Sequence, residues 1–206
     1  MPLRKTKKMN LSRMKCVFGF STIVFAGLLS LLASAPSFAA SKQSTLSLNI
    51  STSTIAANVE AKAAGNFGES SDASISVTTD NFTGYMLRIA AADSTDLESS
   101  NGGVMHSIPS AISRDTFSSS STYNNMWGYK PSQYITTSGG TNTKVMNTDT
   151  YLPSPSTSGD IIDITNQANS TANTYTISIG ARADLTLPPG VYSNTFIITV
   201  ISNESP

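Results

Sequence analysis

Few residues in this 206-residue chain have side chains that could carry out a reaction. His106, the chain's one histidine, stands in "GVMHSIPS" with Ser107 beside it and Asp115 downstream. A serine hydrolase needs a nucleophile, a base and an orienting acid converging in space. No Gly-x-Ser-x-Gly elbow frames any serine here. A lone loop histidine is ordinarily solvent-facing or structural, so a non-catalytic protein is expected. "DSTDLE" offers Asp93, Asp96 and Glu98, hard oxygen ligands that suit calcium, but it lacks the central glycine and closing glutamate of an EF-hand loop. Solvated loop carboxylates are the competing reading. One histidine and one cysteine exclude the ordinary structural zinc patterns. "SSNGG" and "TSGGTN" precede no helix, so they read as bends and not as phosphate cradles. No cofactor is expected.

The aromatic stretch "STYNNMWGYKPSQYI" is the other candidate site. It holds Tyr123, Trp127, Tyr129 and Tyr134, and Trp127 is the chain's sole tryptophan. Such rings can line a carbohydrate-binding face. They can equally fill a core, and the spacing of two puts Trp127 and Tyr129 on one side of a strand. The expectation is that these two point inward, as a sole tryptophan in a sandwich usually does. Tyr123 and Tyr134 flank them, and they are the residues more open to a ligand.

Those residues must be positioned by an exported fold. Residues 1–15 carry six basic and no acidic side chains, residues 16–33 are uncharged and apolar, and "SAPSFAA" follows. These are the three regions of a secretory signal peptide. Cleavage after Ala39 is expected, with an uncleaved anchor as the alternative. Six of the thirteen basic residues leave with that leader, so seven face thirteen acidic ones. The acidic mature surface argues against nucleic acid and against anionic membrane as partners. Cys16, the only cysteine, also lies in the leader, so the exported domain folds without disulfides. About 165 residues suffice for one core. The expected location is secreted or at the cell surface, with the periplasm as the alternative.

Along residues 40–206 the recurring pattern is strand-like alternation. "TLSLNIS", "ASISVTT", "GYMLRIAA" and "NTYTISIGA" each put apolar side chains on one face and polar ones on the other, as a half-buried sheet requires. Met126 to Lys130 and Ile161 to Ile164 are shorter candidates. "ANVEAKAAGNFG" reads as an extended segment with a bend. "NTFIITVIS" is apolar on both faces, which implies cover on both sides or completion by another subunit. In "LPPGVYSNT", Pro189 and Gly190 suit a type II turn, and Tyr192 suits a corner that returns its hydroxyl to the backbone. Gly84 and Tyr85 open a strand in the same way. Residues 94–160, rich in Ser, Thr, Asn and Gly, read as a long irregular insertion of the kind that binds partners or stays disordered.

The ending "LPPGVYSNTFIITV", with "VTTDNFTGYMLRI" and "NNMWGY", resembles bacterial secreted Ig-like β-sandwich proteins of the cell surface. The resemblance implies an all-β, antiparallel Ig-like β-sandwich with the 94–160 insertion, preceded by an N-terminal signal helix over residues 1–39. It also implies a structural or adhesive role, for instance as a surface-fibre subunit. The partners would then be other surface proteins or glycans, or further copies meeting through the C-terminal strand. A carbohydrate-binding module built on residues 121–135 is the alternative function.

Overall fold

The computed structural model describes residues 4–8 and 44–203, and in residues 4–8 the backbone only. In chain order its strands begin with β1 Arg4–Lys8, β2 Leu46–Ile50, β3 Asn66–Glu69, β4 Ala73–Thr79, β5 Tyr85–Ala91 and β6 Leu97–Ser99. They continue with β7 Val104–Ser107, β8 Ile112–Ser113, β9 Met126–Pro131, β10 Gln133–Ser138 and β11 Thr141–Met146. The last are β12 Thr150–Tyr151, β13 Asp160–Ile164, β14 Asn169–Ala183, β15 Tyr192–Ser193 and β16 Phe196–Ser202. Among the described residues one short α-helix, α1, spans Arg114–Ser119, followed by a 3-10 turn at Ser121–Tyr123.

The molecule is mostly β and curls into a half-barrel. One sheet runs β1-β16-β5-β13, and the larger runs β15-β6-β7-β9-β14-β4-β2, with β3 also on β14. Pairing is antiparallel except between β7 and β9. The alternation read from the sequence is the mechanism: β4 and β5 both bury every second residue. Ile75 and Val77 of one sheet meet Leu87, Ile89, Ile198 and Val200 of the other in a shared core. In β16 the residues between those buried ones, such as Ile197 and Ile201, are half-buried, and the strand lies between β5 and β1. Of residues 1–39, the described part, Arg4–Lys8, is a strand and not a helix, and the rest of the expected signal helix lies outside the described residues.

The 94–160 stretch is far more ordered than its composition suggests. It carries β6 to β12 and α1, and it builds a second core on the outer face of the larger sheet. Ile108, Ile112, Phe117 and Tyr151 are buried there against Phe67, Tyr123 and Met126. The rings meet edge to face, Phe67–Phe117 at 5.2 Å and Phe117–Tyr151 at 5.3 Å between centroids. Helix α1 exists because Ser113 caps it: the Ser113 hydroxyl accepts from the Thr116 N–H, and Asp115 sits in the first turn. Its one buried side chain is Phe117, 0% exposed. Burying such a ring stabilises by about 1.5–3 kcal/mol, which is what holds this polar segment down.

Strand β14 lies between the two cores. Ile177, Ala181 and Ala183 face the main one. Gly180 faces the other way, where an added Cβ would lie 2.6 Å from the Tyr151 ring and 3.0 Å from Phe67. Arg182 also faces outward, 5% exposed. It donates to Asn124 Oδ1 at 2.7 Å, to the Ala64 carbonyl at 2.8 Å and to the Ser118 carbonyl. Lys130 and Arg114 clasp Glu69 at 2.5 and 2.9 Å.

Two predictions follow from these contacts. Gly180→Ala has nowhere to put its methyl group, since Tyr151 is fully buried. Overpacking of this kind costs about 1–3 kcal/mol, read as a lower urea midpoint. Glu69 has its carboxyl held at about 2 against an ordinary 4.5: burial raises it, and the hydrogen bonds from Lys130 and Arg114 outweigh that. A depressed folded-state pKa gives stability that is full above the ordinary value and is lost as pH falls from about 4.5 towards 2. Glu69→Gln is therefore expected to flatten the stability–pH curve across that window, with wild type and variant converging in acid.

Candidate functional site

Beside the main core lies a cavity of about 490 Å³, a volume typical of ligand sites. Two stretches of backbone flank it. The first is 53–59 with Ala61; the second is 187–194. Its floor is Trp127, Ile179, Ala181, Ala183, Met105 and Phe196. None of the lining residues is charged. The small side chains of Ala181 and Ala183 give the cavity its depth, and the same two residues sit at the end of β14, where the strand outruns β4.

The second flank is fixed by short polar contacts. Asp184 accepts from Asn124 and Asn125 side chains, each at 3.0 Å, and from the Thr186 N–H at 2.9 Å. Hydrogen bonds from Thr186 and Asn125 hold its carboxyl down at about 2. Asn125 itself takes φ 59, a left-handed conformation that asparagine tolerates. Tyr192 donates to the Pro188 carbonyl at 2.5 Å, and Asn101 to the Pro189 carbonyl at 2.6 Å. The tyrosine corner read from the sequence is thus formed. The type II turn is not, because Gly190 is absent from the positive-φ glycines; the chain turns earlier, at Leu185 and Thr186, capped by Asp184.

Of the four aromatics singled out from the sequence, Trp127 alone lines this cavity. Trp127 and Tyr129 lie in the main core, 0% and 1% exposed. The Trp127 ring packs 5.7 Å from Phe196, and its buried Nε1 has no hydrogen-bond partner among the described residues. Tyr123 turns to the outer core, 6.0 Å from Phe117. Tyr134 lies on the β10–β11 hairpin opposite Val145. The four rings share no face, so they do not make one platform.

The carboxylates are equally dispersed. Asp96 accepts from the Ser107 N–H at 3.1 Å and meets His106 Nδ1 at 2.9 Å. The partner of His106 is therefore Asp96 and not Asp115, which lies in α1. The Ser107 hydroxyl is occupied by the Ile108 carbonyl and the Ser154 N–H. Asp93 and Glu98 are exposed, and among the described residues no three His, Cys, Asp or Glu gather as a metal site.

A buried polar chain crosses the main core. Lys144 meets Asp163 at 2.6 Å, Asp163 accepts from Tyr175 at 2.7 Å, and Tyr175 bonds Tyr85, which Asn173 also reaches at 2.8 Å. Burial pushes the hydroxyls of Tyr85 and Tyr175 up, so both stay neutral. The chain is complete within itself and joins β5, β11, β13 and β14.

Compared with known proteins, the chain matches no family model, no curated protein and no solved structure. The cavity was missed in the sequence because its floor comes from four distant strands and its first flank is a segment of ambiguous pattern. The only available signal was the in-and-out spacing of Ile55, Ala57, Val59 and Ala61. Trp127→Ala is expected to cost about 3–5 kcal/mol in urea unfolding, because the ring fills the core even though one side faces the cavity.

Proposed function

We propose that this chain is an exported, non-catalytic Ig-like β-sandwich that works at the cell surface by binding, in a structural or adhesive role, and that the cavity beside Trp127 is its recognition site. The single observation that carries the reading is this uncharged slot, floored by two alanines beside the buried Trp127, with its 187–194 flank fixed by hydrogen bonds. Sites of this kind recognise by shape and apolar contact with a few polar groups. The basic-then-apolar leader, the cysteine-free body and the acidic charge left after Ala39 support the location. The pairing of His106 with Asp96, and the engagement of Ser107 elsewhere, support the non-catalytic part. Glycan binding on residues 121–135 draws no support from the dispersed rings.

The test combines location with binding. Fractionation and mass spectrometry of the producing cells should find the chain outside the cytoplasm, beginning at Ala40. Purified protein should bind cell surfaces, and Ala181→Leu, which adds bulk at the slot floor, should reduce that binding at least tenfold in protein shown by its urea midpoint to be folded. A cytoplasmic chain with its leader intact overturns the location. Undiminished binding by Ala181→Leu overturns the site.

A further inference from the structure

The first flank of the slot is a segment that joins no sheet. Ile55, Ala57, Val59 and Ala61 are half-buried while the residues between them are exposed, the alternation of a strand on a core. Ile55, Val59 and Ala61 pack on the main cluster. Yet among the described residues no backbone N–H or C=O from Ile55 to Ala61 makes a hydrogen bond. The segment does not pair with β3, because it crosses over that strand: a Cβ on Gly68 would lie 2.3 Å from the Asn58 carbonyl oxygen. Residues 53–59 line the slot consecutively, inward and outward positions alike. In an extended chain that places the slot along the edge, where backbone groups project, and not merely under one face.

Three properties define what fits. An edge with free donors and acceptors recurring along the chain favours another backbone of the same repeat. An uncharged lining gives a buried charge no partner and so disfavours charged occupants. The depth over Ala181 and Ala183 admits side chains from every second residue of an extended chain. An acyl chain would satisfy the floor but none of the edge groups, and a sugar has no matching repeat.

We infer that the slot takes an extended, uncharged stretch of polypeptide, added as a strand along Ile55–Ala61 with alternate side chains directed over Ala181 and Ala183. This rests on the reading of the slot as the recognition site and names the chemistry of what it takes.

Trp127, as the only tryptophan, reports occupancy by its own fluorescence. The probes are end-blocked synthetic peptides copying Thr171–Ile179 and Asn194–Ser202, both uncharged, the same peptides with alternate backbone N–H groups methylated, and octyl glucoside as an apolar non-peptide. Expected with the exported protein are a saturable change in Trp127 emission with at least one unmethylated peptide and amide exchange over 55–61 slowed at least tenfold. Methylation on the pairing edge should weaken binding at least tenfold, and Ala181→Leu should abolish it. Equal binding of methylated and unmethylated peptides, or an emission change with octyl glucoside alone, overturns the strand inference while leaving the site intact. If no probe changes the emission and Ala181→Leu leaves cell-surface binding intact, site and inference fall together.

Discussion

The constraint on which the structure depends is that β14 must be buried on both faces while pairing on both edges. That holds for its second half: from Ile177 to Arg182 it pairs with β9 on one side, and on the other with the start of β4 and then, from Gly180, with β3. A strand in that position cannot simply alternate apolar with polar. Its inward residues are ordinary, but outward it presents Ser178, Gly180 and Arg182, all three of which must be accommodated beneath a second layer. Gly180 makes room for the Tyr151 ring. Ser178 is small enough to be covered, at 0% exposed.

Arg182 is the costly member. A guanidinium away from water needs its donors occupied, and here no carboxylate serves. Asn124 and the carbonyls of Ala64 and Ser118 do instead. Those acceptors belong to the turn before β3, the end of α1 and the turn before β9. Satisfying one buried charge therefore fixes three separate segments over the sheet, and the outer aromatic cluster completes the cover. The geometry is close at the turn: Gly65 takes φ +79, and a Cβ there would meet Asn124 Oδ1 at 2.0 Å. The polar insertion is ordered because β14 requires a roof, and not because its own composition favours structure.

This explains what was legible in the sequence. Strands β4, β5 and β16 are one-dimensional objects whose period-two pattern is complete within seven residues, so their bounds and faces could be read directly. The inward turn of Trp127 and Tyr129 followed from the same spacing. The outer core could not be read, because Ile108, Ile112, Phe117 and Tyr151 are scattered through serine-rich sequence and converge only when Gly180 and Phe67 are set beside them. The slot was hidden for a related reason. Its floor is assembled from β7, β9, β14 and β16, and its flanks read separately as an ambiguous segment and a corner. Within the aromatic stretch, Trp127 is core and cavity wall at once.

The two roles of Trp127 are compatible because of how the half-barrel ends. Where β14 runs past β4, β3 takes over on that edge, and the preceding chain from Ile55 to Ala61 crosses above the face instead of joining a sheet. The main core is thus closed there by a segment that contributes apolar side chains but whose backbone groups make no hydrogen bond among the described residues. Such a segment is held by side-chain contacts alone, and local stability tracks contacts and hydrogen bonds together. The opposite flank has no such freedom, since Asp184, Asn101 and Tyr192 bind its backbone at several points. One fixed wall and one wall with unpaired backbone suit a site that gains its last hydrogen bonds when it is filled. Covering the same alanines with larger residues would close the core and pack it better, so the open slot reads as a departure from the best packing at the place where recognition would require one.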